Sequence, residues 1–201
     1  MKKLVIATGN AHKLDEISVL LQPLGIEVLS QAVFGVPEAA EPHITFIENA
    51  LAKARHAARL TGLPALADDS GLCVSALGGA PGVISAVYAG EPRSDARNNE
   101  KLLAAMQGMA DRRAHYHSTL VLLRHAEDPQ PIIAEGQWHG VILETPRGTS
   151  GFGYDPLFLD TTLSLSVAEI SMDDKNRISH RGQALRLLLE KLKQQSLVAT
   201  R

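Results

Sequence analysis

Early in the chain the hydrophobic pattern changes period across a three-residue break. Leu4-Val5-Ile6-Ala7 is an unbroken apolar run, as expected of a strand buried on both faces, and Thr8-Gly9-Asn10 has the composition of a turn. Leu14, Ile17, Leu20 and Leu21 then recur at helical spacing until Pro23 and Gly25 stop the pattern. The opening is therefore a strand, a glycine turn and a helix, and residues 26–29 read as a second strand. Such a unit points backbone N–H groups and the positive end of a helix at whatever sits over the turn. That suits phosphate, and Lys13 adds a cation near the same end. The turn lacks the G-x-x-x-x-G-K-[ST] and G-x-G-x-x-G patterns, so a plain structural turn stays open for these residues.

A second apolar run, Leu63-Pro64-Ala65-Leu66-Ala67, reads as another buried strand and leads into Asp68-Asp69-Ser70-Gly71-Leu72. The expectation is that the strand ends at the two aspartates and a Ser-Gly turn begins. Adjacent side chains on a strand point to opposite faces, so only one carboxylate enters a given cleft. Asp69 is taken to be that one. A carboxylate beside a glycine turn can hold a hard cation or accept a proton from water, although Asp, Ser and Gly also favour turns for local reasons.

Between these runs lies an acidic loop, residues 37–42, carrying Glu38 and Glu41. Thr45-Phe46-Ile47-Glu48 then matches a capping box, with Phe46, Ala50, Ala54, Ala57 and Leu60 on one helical face that ends at Gly62. Glu41, just ahead of that helix, either favours its dipole or supplies a second ligand for an ion held by Asp69. Gly78-Gly79-Ala80-Pro81-Gly82 opens a breaker-rich loop that is either functional or a flexible linker, and Asp95 can cap a further helix with Leu102, Leu103 and Met106. Residues 115–124 and 131–143 are β-like and pair as an antiparallel hairpin around Ala126-Glu127-Asp128-Pro129-Gln130. Their histidines, His115, His117, His125 and His139, lack companions at metal-ligand spacing.

Downstream, Gly148-Thr149-Ser150-Gly151-Phe152-Gly153-Tyr154-Asp155-Pro156 sets two aromatics among three glycines. It is either a tight turn or a clamp in which flat rings stack on a nucleobase while exposed amides read its edge. Asp173 through Gly182 leads into a C-terminal helix with Leu185, Leu188, Leu189 and Leu192 inward. In one straight helix Lys175 and His180 diverge by more than about 100°. Either the helix starts near Ser179 as a cap, or the two cations serve different parts of a ligand.

The totals exclude several classes. A chain of 201 residues suits one domain, or one domain with two lobes, and buries roughly 70% of its unfolded surface. Net charge −2 provides no basic field for polymeric nucleic acid. The single cysteine, Cys73, fits a reducing compartment and reads as a small core residue rather than a nucleophile. No apolar run approaches the ~20 residues of a membrane span or forms a signal-peptide core, so a cytoplasmic protein is expected.

Taken in order, Thr8-Gly9-Asn10-Ala11-His12-Lys13, Thr45-Phe46-x-Glu48-Asn49-Ala50, Ala67-Asp68-Asp69-Ser70-Gly71-Leu72, Gly78-Gly79-Ala80-Pro81-Gly82, Phe152-Gly153-Tyr154-Asp155-Pro156 and Ser179-His180-Arg181 form a series. It resembles that of the inosine/xanthosine triphosphate pyrophosphatases, the Ham1 or RdgB-like house-cleaning nucleotidases, over residues 4 to about 192. The resemblance implies an α/β fold: an elongated mixed sheet flanked by helices, in two lobes with a central substrate cleft, as a single domain over residues 1–201 that forms a homodimer. It implies hydrolysis of ITP, dITP or XTP to the monophosphate and pyrophosphate, with Mg2+ as cofactor. By the same resemblance Thr8, Gly9, Asn10, Ala11, His12 and Lys13 hold the triphosphate. Asp69 is the general base and a metal ligand, Glu41 a further metal ligand and Ser70 a substrate contact. Phe152, Gly153, Tyr154 and Asp155 line the base site, and Lys175, His180 and Arg181 complete recognition. Asp68 is kept as a structural acid. One departure stands out: Ser85-Ala86-Val87-Tyr88 has Val87 where the family run has arginine. Two rival readings are a pyrophosphatase for modified pyrimidine triphosphates and a nucleotide sensor without turnover.

Overall fold

The computed structural model describes residues 1–21 and 25–195, without the side chains of His12 and Leu20, so the expected helix stop at Pro23 lies outside the described residues. The strands are β1 (Lys3–Ile6), β2 (Glu27–Ser30), β3 (Ala65–Val74), β4 (Arg113–Leu123), β5 (Ile132–Ile142), β6 (Phe158–Asp160) and β7 (Leu165–Ser166). The helices are α1 (Ala11–Leu21), α2 (Phe46–Thr61), α3 (Asp95–Ala105), α4 (Met172–Ile178) and α5 (His180–Gln194). All seven strands join one sheet in the order β2-β1-β3-β4-β5-β6-β7. β2 and β3 flank β1 in parallel, whereas β5, β6 and β7 pair antiparallel, so the sheet is mixed as the resemblance implies. β4 and β5 form the expected hairpin: the N–H of Ile142, ending one strand, reaches the carbonyl of Arg112, just before the other. The eight residues between them are too few for a parallel crossover.

The chain divides into two compact units. The first comprises Met1–Asp69, Ser118–Glu135 and the residues from Gln183 onward, and it has a core on each face of the sheet. Leu4, Ile6 and Leu66 pack with Ile17 and Leu21 of α1 and Leu185, Leu188 and Leu192 of α5. Val5, Ala7, Ala65 and Ala67 pack with Ala50, Ala54 and Ala57 of α2. The period-two alternation along β1 and β3 thus sorts neighbouring residues between two helical layers. The second unit, Ser70–His117 and Gly136–Gly182, has one core of Leu72, Val74, Leu102, Tyr116, Trp138, Leu157 and Phe158. Its buried indole is satisfied, since Trp138 Nε1 donates to Asp160 Oδ2 at 2.7 Å.

Three expectations need correcting, and one of two alternatives falls away. The aspartate pair does not end its strand, because β3 continues through Asp68-Asp69-Ser70-Gly71 to Val74. Sheet pairing outweighs the turn preference of those residues. The glycine-rich segment after it is not a loose linker: 3-10 turns cover Ser75–Leu77 and Gly82–Val87, and Cys73 bridges to Pro81. The α3 cap is Ser94, whose hydroxyl accepts the Arg97 N–H, and Asp95 is the first helical residue. On α2 Leu60 is 54% exposed, and the buried face holds Asn49 and Lys53 among the alanines. The α2 ends are as expected, with Thr45 at the start and left-handed Gly62 at the finish. Ser179 separates α4 from α5, and its hydroxyl accepts the Gly182 N–H, so the cap alternative holds for the C-terminal helix.

Candidate active site

In the first unit the chemistry gathers where β1 runs out. Parallel pairing of β3 to β1 ends at Ile6 and Leu66, and the Ala7 N–H reaches the Leu66 carbonyl. Beyond that point β1 turns through Thr8-Gly9-Asn10 while β3 carries on with the two aspartates. Ligands of open α/β sheets favour such carboxyl ends of parallel strands. The turn is shaped by its own side chains: Thr8 Oγ1 accepts the Asn10 N–H at 3.1 Å, and Asn10 Oδ1 accepts the Lys13 N–H at 3.3 Å. Asn10 thereby caps α1, Ala11 opens the helix, and the Glu38 carboxylate lies against Gly9. The side chain of His12 lies outside the described residues.

Adjacent positions on β3 send the two carboxylates to different partners. Asp68, wholly buried, meets Lys13 Nζ at 2.8 Å through Oδ2 and accepts the Ser118 hydroxyl at 2.7 Å through Oδ1. Asp69 meets Lys53 Nζ at 2.8 Å, and its other oxygen accepts a longer bond from Asn49 Nδ2 at 3.4 Å. Lys53 also reaches Glu41 at 2.6 Å, so two carboxylates converge on one ammonium. Burial pushes the Asp69 carboxyl up, and this outweighs the downward pull of Lys53 and Lys13. Burial pulls Lys53 down, but Asp69 and Glu41 together hold it above the ordinary lysine value. The result is a proton acceptor of raised basicity beside a cation that stays charged.

The second unit assembles a different constellation around Asp155. Its Oδ1 accepts the Tyr116 hydroxyl at 3.1 Å, and Oδ2 accepts Lys175 Nζ at 2.8 Å and the Phe152 N–H at 3.0 Å. Lys175 lies 4.5 Å from the centre of the Phe152 ring, a cation–π contact. His180 stacks on Tyr116 with centroids 4.9 Å apart, and Arg181 donates to the Ser70 hydroxyl at 3.1 Å. The loop needs its glycines: Gly151 and Gly153 have φ of 80° and 63°, and a Cβ on Gly151 would lie 2.3 Å from Asp155 Oδ2. Tyr154 points into the core, 4% exposed, with its hydroxyl on the Ser85 carbonyl at 2.8 Å. Phe152 is therefore the half-exposed ring of the loop.

The structure thus joins Lys13 to Asp68, Asp69 to Glu41, and Phe152, Asp155 and Lys175 to one another. Sequence reasoning missed Lys53, Asn49, Ser118 and Tyr116. Lys53 carried a signal: it falls on the alanine face of α2, where a lysine is out of place unless paired. Val87 is half-buried at the end of a 3-10 turn, and nothing in the structure explains its replacing an arginine. Burial raises the Cys73 thiol, which fits a packing role. Among the described residues no three His, Cys, Asp or Glu side chains cluster as a ready metal site, and no helix is long and apolar enough to cross a membrane.

The chain is similar to known proteins over nearly its whole length. The chain is 62% identical over 198 residues to a dITP/XTP pyrophosphatase of Nitrosomonas europaea, covering 98% of both chains. It is 62% identical over 190 residues to one of Aromatoleum aromaticum, covering 94% of this chain and 96% of that one. Among solved structures, a HAM1 protein from Coxiella burnetii superposes with a TM-score of 0.92 at 46% identity, over 96% of this chain and all of that one. The Ham1 family profile matches residues 4–191, so nearly the whole chain, both constellations included, belongs to the Ham1 family.

Proposed function

We propose that the protein hydrolyses purine nucleoside triphosphates with a 6-keto base, ITP, dITP and XTP, to the monophosphate and pyrophosphate, removing deaminated purines from the nucleotide pool. The observation that carries this reading is Asp69: a buried carboxylate of raised pKa, held by Lys53 and one residue from the acid that positions Lys13. The names of the relatives from Nitrosomonas europaea and Aromatoleum aromaticum support the substrate class.

In this mechanism the turn from Thr8 to Lys13 offers N–H groups and the start of α1 to the phosphate chain, and Lys13 supplies its main cation. Asp69 orients a water and takes its proton as the water oxygen bonds to the first phosphorus. The bond from that phosphorus to the bridging oxygen breaks, and pyrophosphate leaves. Proton transfer of this kind is typically worth ~10²- to 10⁴-fold. Lys53 keeps Asp69 ionised and oriented until the proton moves. Asp69 and Glu41, which Lys53 holds side by side, would hold magnesium through the oxygens that do not face its ammonium. When bound, the ion supplies charge neutralisation to the phosphates and the departing pyrophosphate.

At the base end, Phe152 provides the stacking face and Asp155 and Lys175 fix the loop, while His180, Arg181 and Ser70 complete the polar edge and Gly153 and Tyr154 hold the backbone in place. Donors aimed at a 6-keto oxygen would leave a 6-amino group facing donors with no acceptor, a mismatch that rejects substrates by ~10⁴-fold or more. We further propose that the chain acts as a single two-lobed domain, as a homodimer in the cytoplasm. Pyrophosphate release from ITP, XTP, ATP and GTP, with magnesium and with chelator, tests the reading. Fast release from ITP and XTP, abolished by chelation, and little from ATP are expected, while GTP, which shares the 6-keto oxygen, reports the effect of a 2-amino group. Release from ATP as fast as from ITP would refute the selectivity.

A further inference from the structure

Two side chains of α3 grip the aromatic loop, and nothing in the mechanism above uses them. Asp95 Oδ2 accepts the Gly153 N–H at 2.7 Å, and Asn99 Nδ2 donates to the Gly153 carbonyl at 2.9 Å. Four residues apart, the pair shares one face of the helix. The N–H and C=O of one residue belong to successive peptide planes, so both planes flanking Gly153 are fixed. The freedom left is the φ and ψ of Gly153, held at positive φ. Phe152 lies on one of those planes and is tied again through its own N–H to Asp155. α3 is a firm base for this grip. Leu102 is fully buried, and Asn98 faces elsewhere, bonding Ala89 N–H at 2.7 Å and the Ala86 carbonyl at 2.9 Å.

Asn99 holds its amide in this orientation at a cost. Its Oδ1 is buried and has no hydrogen-bond partner among the described residues. Flipping the amide would turn that oxygen onto the Gly153 carbonyl, so the grip and the unsatisfied acceptor come together. A residue chosen only for packing would not carry this penalty. We infer that Asp95 and Asn99 are positioning residues for base recognition: with the Phe152 and Gly153 N–H groups both engaged within the protein, they fix this backbone so that the Phe152 ring presents its face to a purine in one geometry. The inference rests on the proposed function for the identity of the base.

The test is titration calorimetry of wild type, Asn99→Ala, Asp95→Ala and Asp95→Asn with inosine monophosphate and with inorganic tripolyphosphate. Thermal unfolding and ITP kinetics are measured on the same samples. Loss of one hydrogen bond from the grip should weaken inosine monophosphate binding and raise the KM for ITP by roughly tenfold, with tripolyphosphate affinity within about twofold of wild type. Asp95→Asn, which keeps an acceptor oxygen, should recover most of the loss seen in Asp95→Ala. Asn99→Ala should unfold no earlier than wild type, since it removes the unsatisfied acceptor. Unchanged inosine monophosphate binding, or equal weakening of both ligands, would overturn the inference. An absence of ITP turnover in wild type, with inosine monophosphate binding still sensitive to Asn99, would sink the proposed function and leave the positioning role standing.

Discussion

Lys53 and Asp69 in the first unit, and Lys175 and Asp155 in the second, each meet at 2.8 Å with both side chains at least nine-tenths buried. Their surroundings differ. Asp155 is held by three donors, a lysine, a tyrosine hydroxyl and a backbone N–H, and its lysine also covers a phenyl ring. Asp69 has one strong donor and one long amide contact, and its lysine is shared with Glu41. A buried carboxylate held by three donors across both oxygens is a fixture. One left partly engaged, with its pKa raised, is able to take up a proton. The same ion pair thus serves structure in one place and reaction in the other, and the count of remaining donors decides which.

The largest effect that would sharpen this contrast is on turnover. Asp69→Asn should lower kcat by ~10²- to 10⁴-fold while leaving thermal stability equal or higher, measured by pyrophosphate release and calorimetry. Near-normal turnover would break the comparison. Asp155→Ala should do the converse, costing about 3–5 kcal/mol in denaturant unfolding because Lys175 is left buried without its carboxylate. Lys13→Ala is expected to raise the KM for ITP ~10- to 100-fold by removing a charge-assisted phosphate contact, with a smaller change in kcat.

The finest discrimination is in pH dependence. Without magnesium, the Asp69 carboxyl followed by NMR should titrate above the usual carboxylate range, because burial raises it. Lys53 pulls Asp69 down, so Lys53→Met should move that titration to still higher pH, while Lys175→Met should not move it. The stability sign follows from the same shift. The folded state holds the Asp69 proton more tightly than the unfolded one, so this group's contribution is favourable below the unfolded value and is lost as pH rises through the folded one.

Much of the fold was legible because element boundaries coincide with changes of hydrophobic period: β1, the turn and α1 follow from Leu4 to Leu21. The acid pair was legible as chemistry but not as geometry. Asp, Ser and Gly favour turns in isolation, and only pairing in the sheet keeps them extended to Val74. Lys53 and Asn49 were hidden by their helix, since an alanine stripe announces a buried face without saying that two polar residues in it face an acid. Tyr116 and Ser118 lie on the buried phase of β4, where they pass for core until Asp155 and Asp68 are brought to them from 39 and 50 residues away. Tyr154 was misleading in the other direction, since an aromatic beside glycines invites a ligand-facing reading while its hydroxyl satisfies a core carbonyl.

Because β3 stays extended through both aspartates, the assignment of each acid to its lysine depends on nothing but counting. A single residue inserted after Leu66 would turn every later side chain over, offering the charge meant for α1 to α2 and the reverse. The site would keep its full inventory of groups and lose the division of labour between them. Length, rather than composition, is what this strand cannot change.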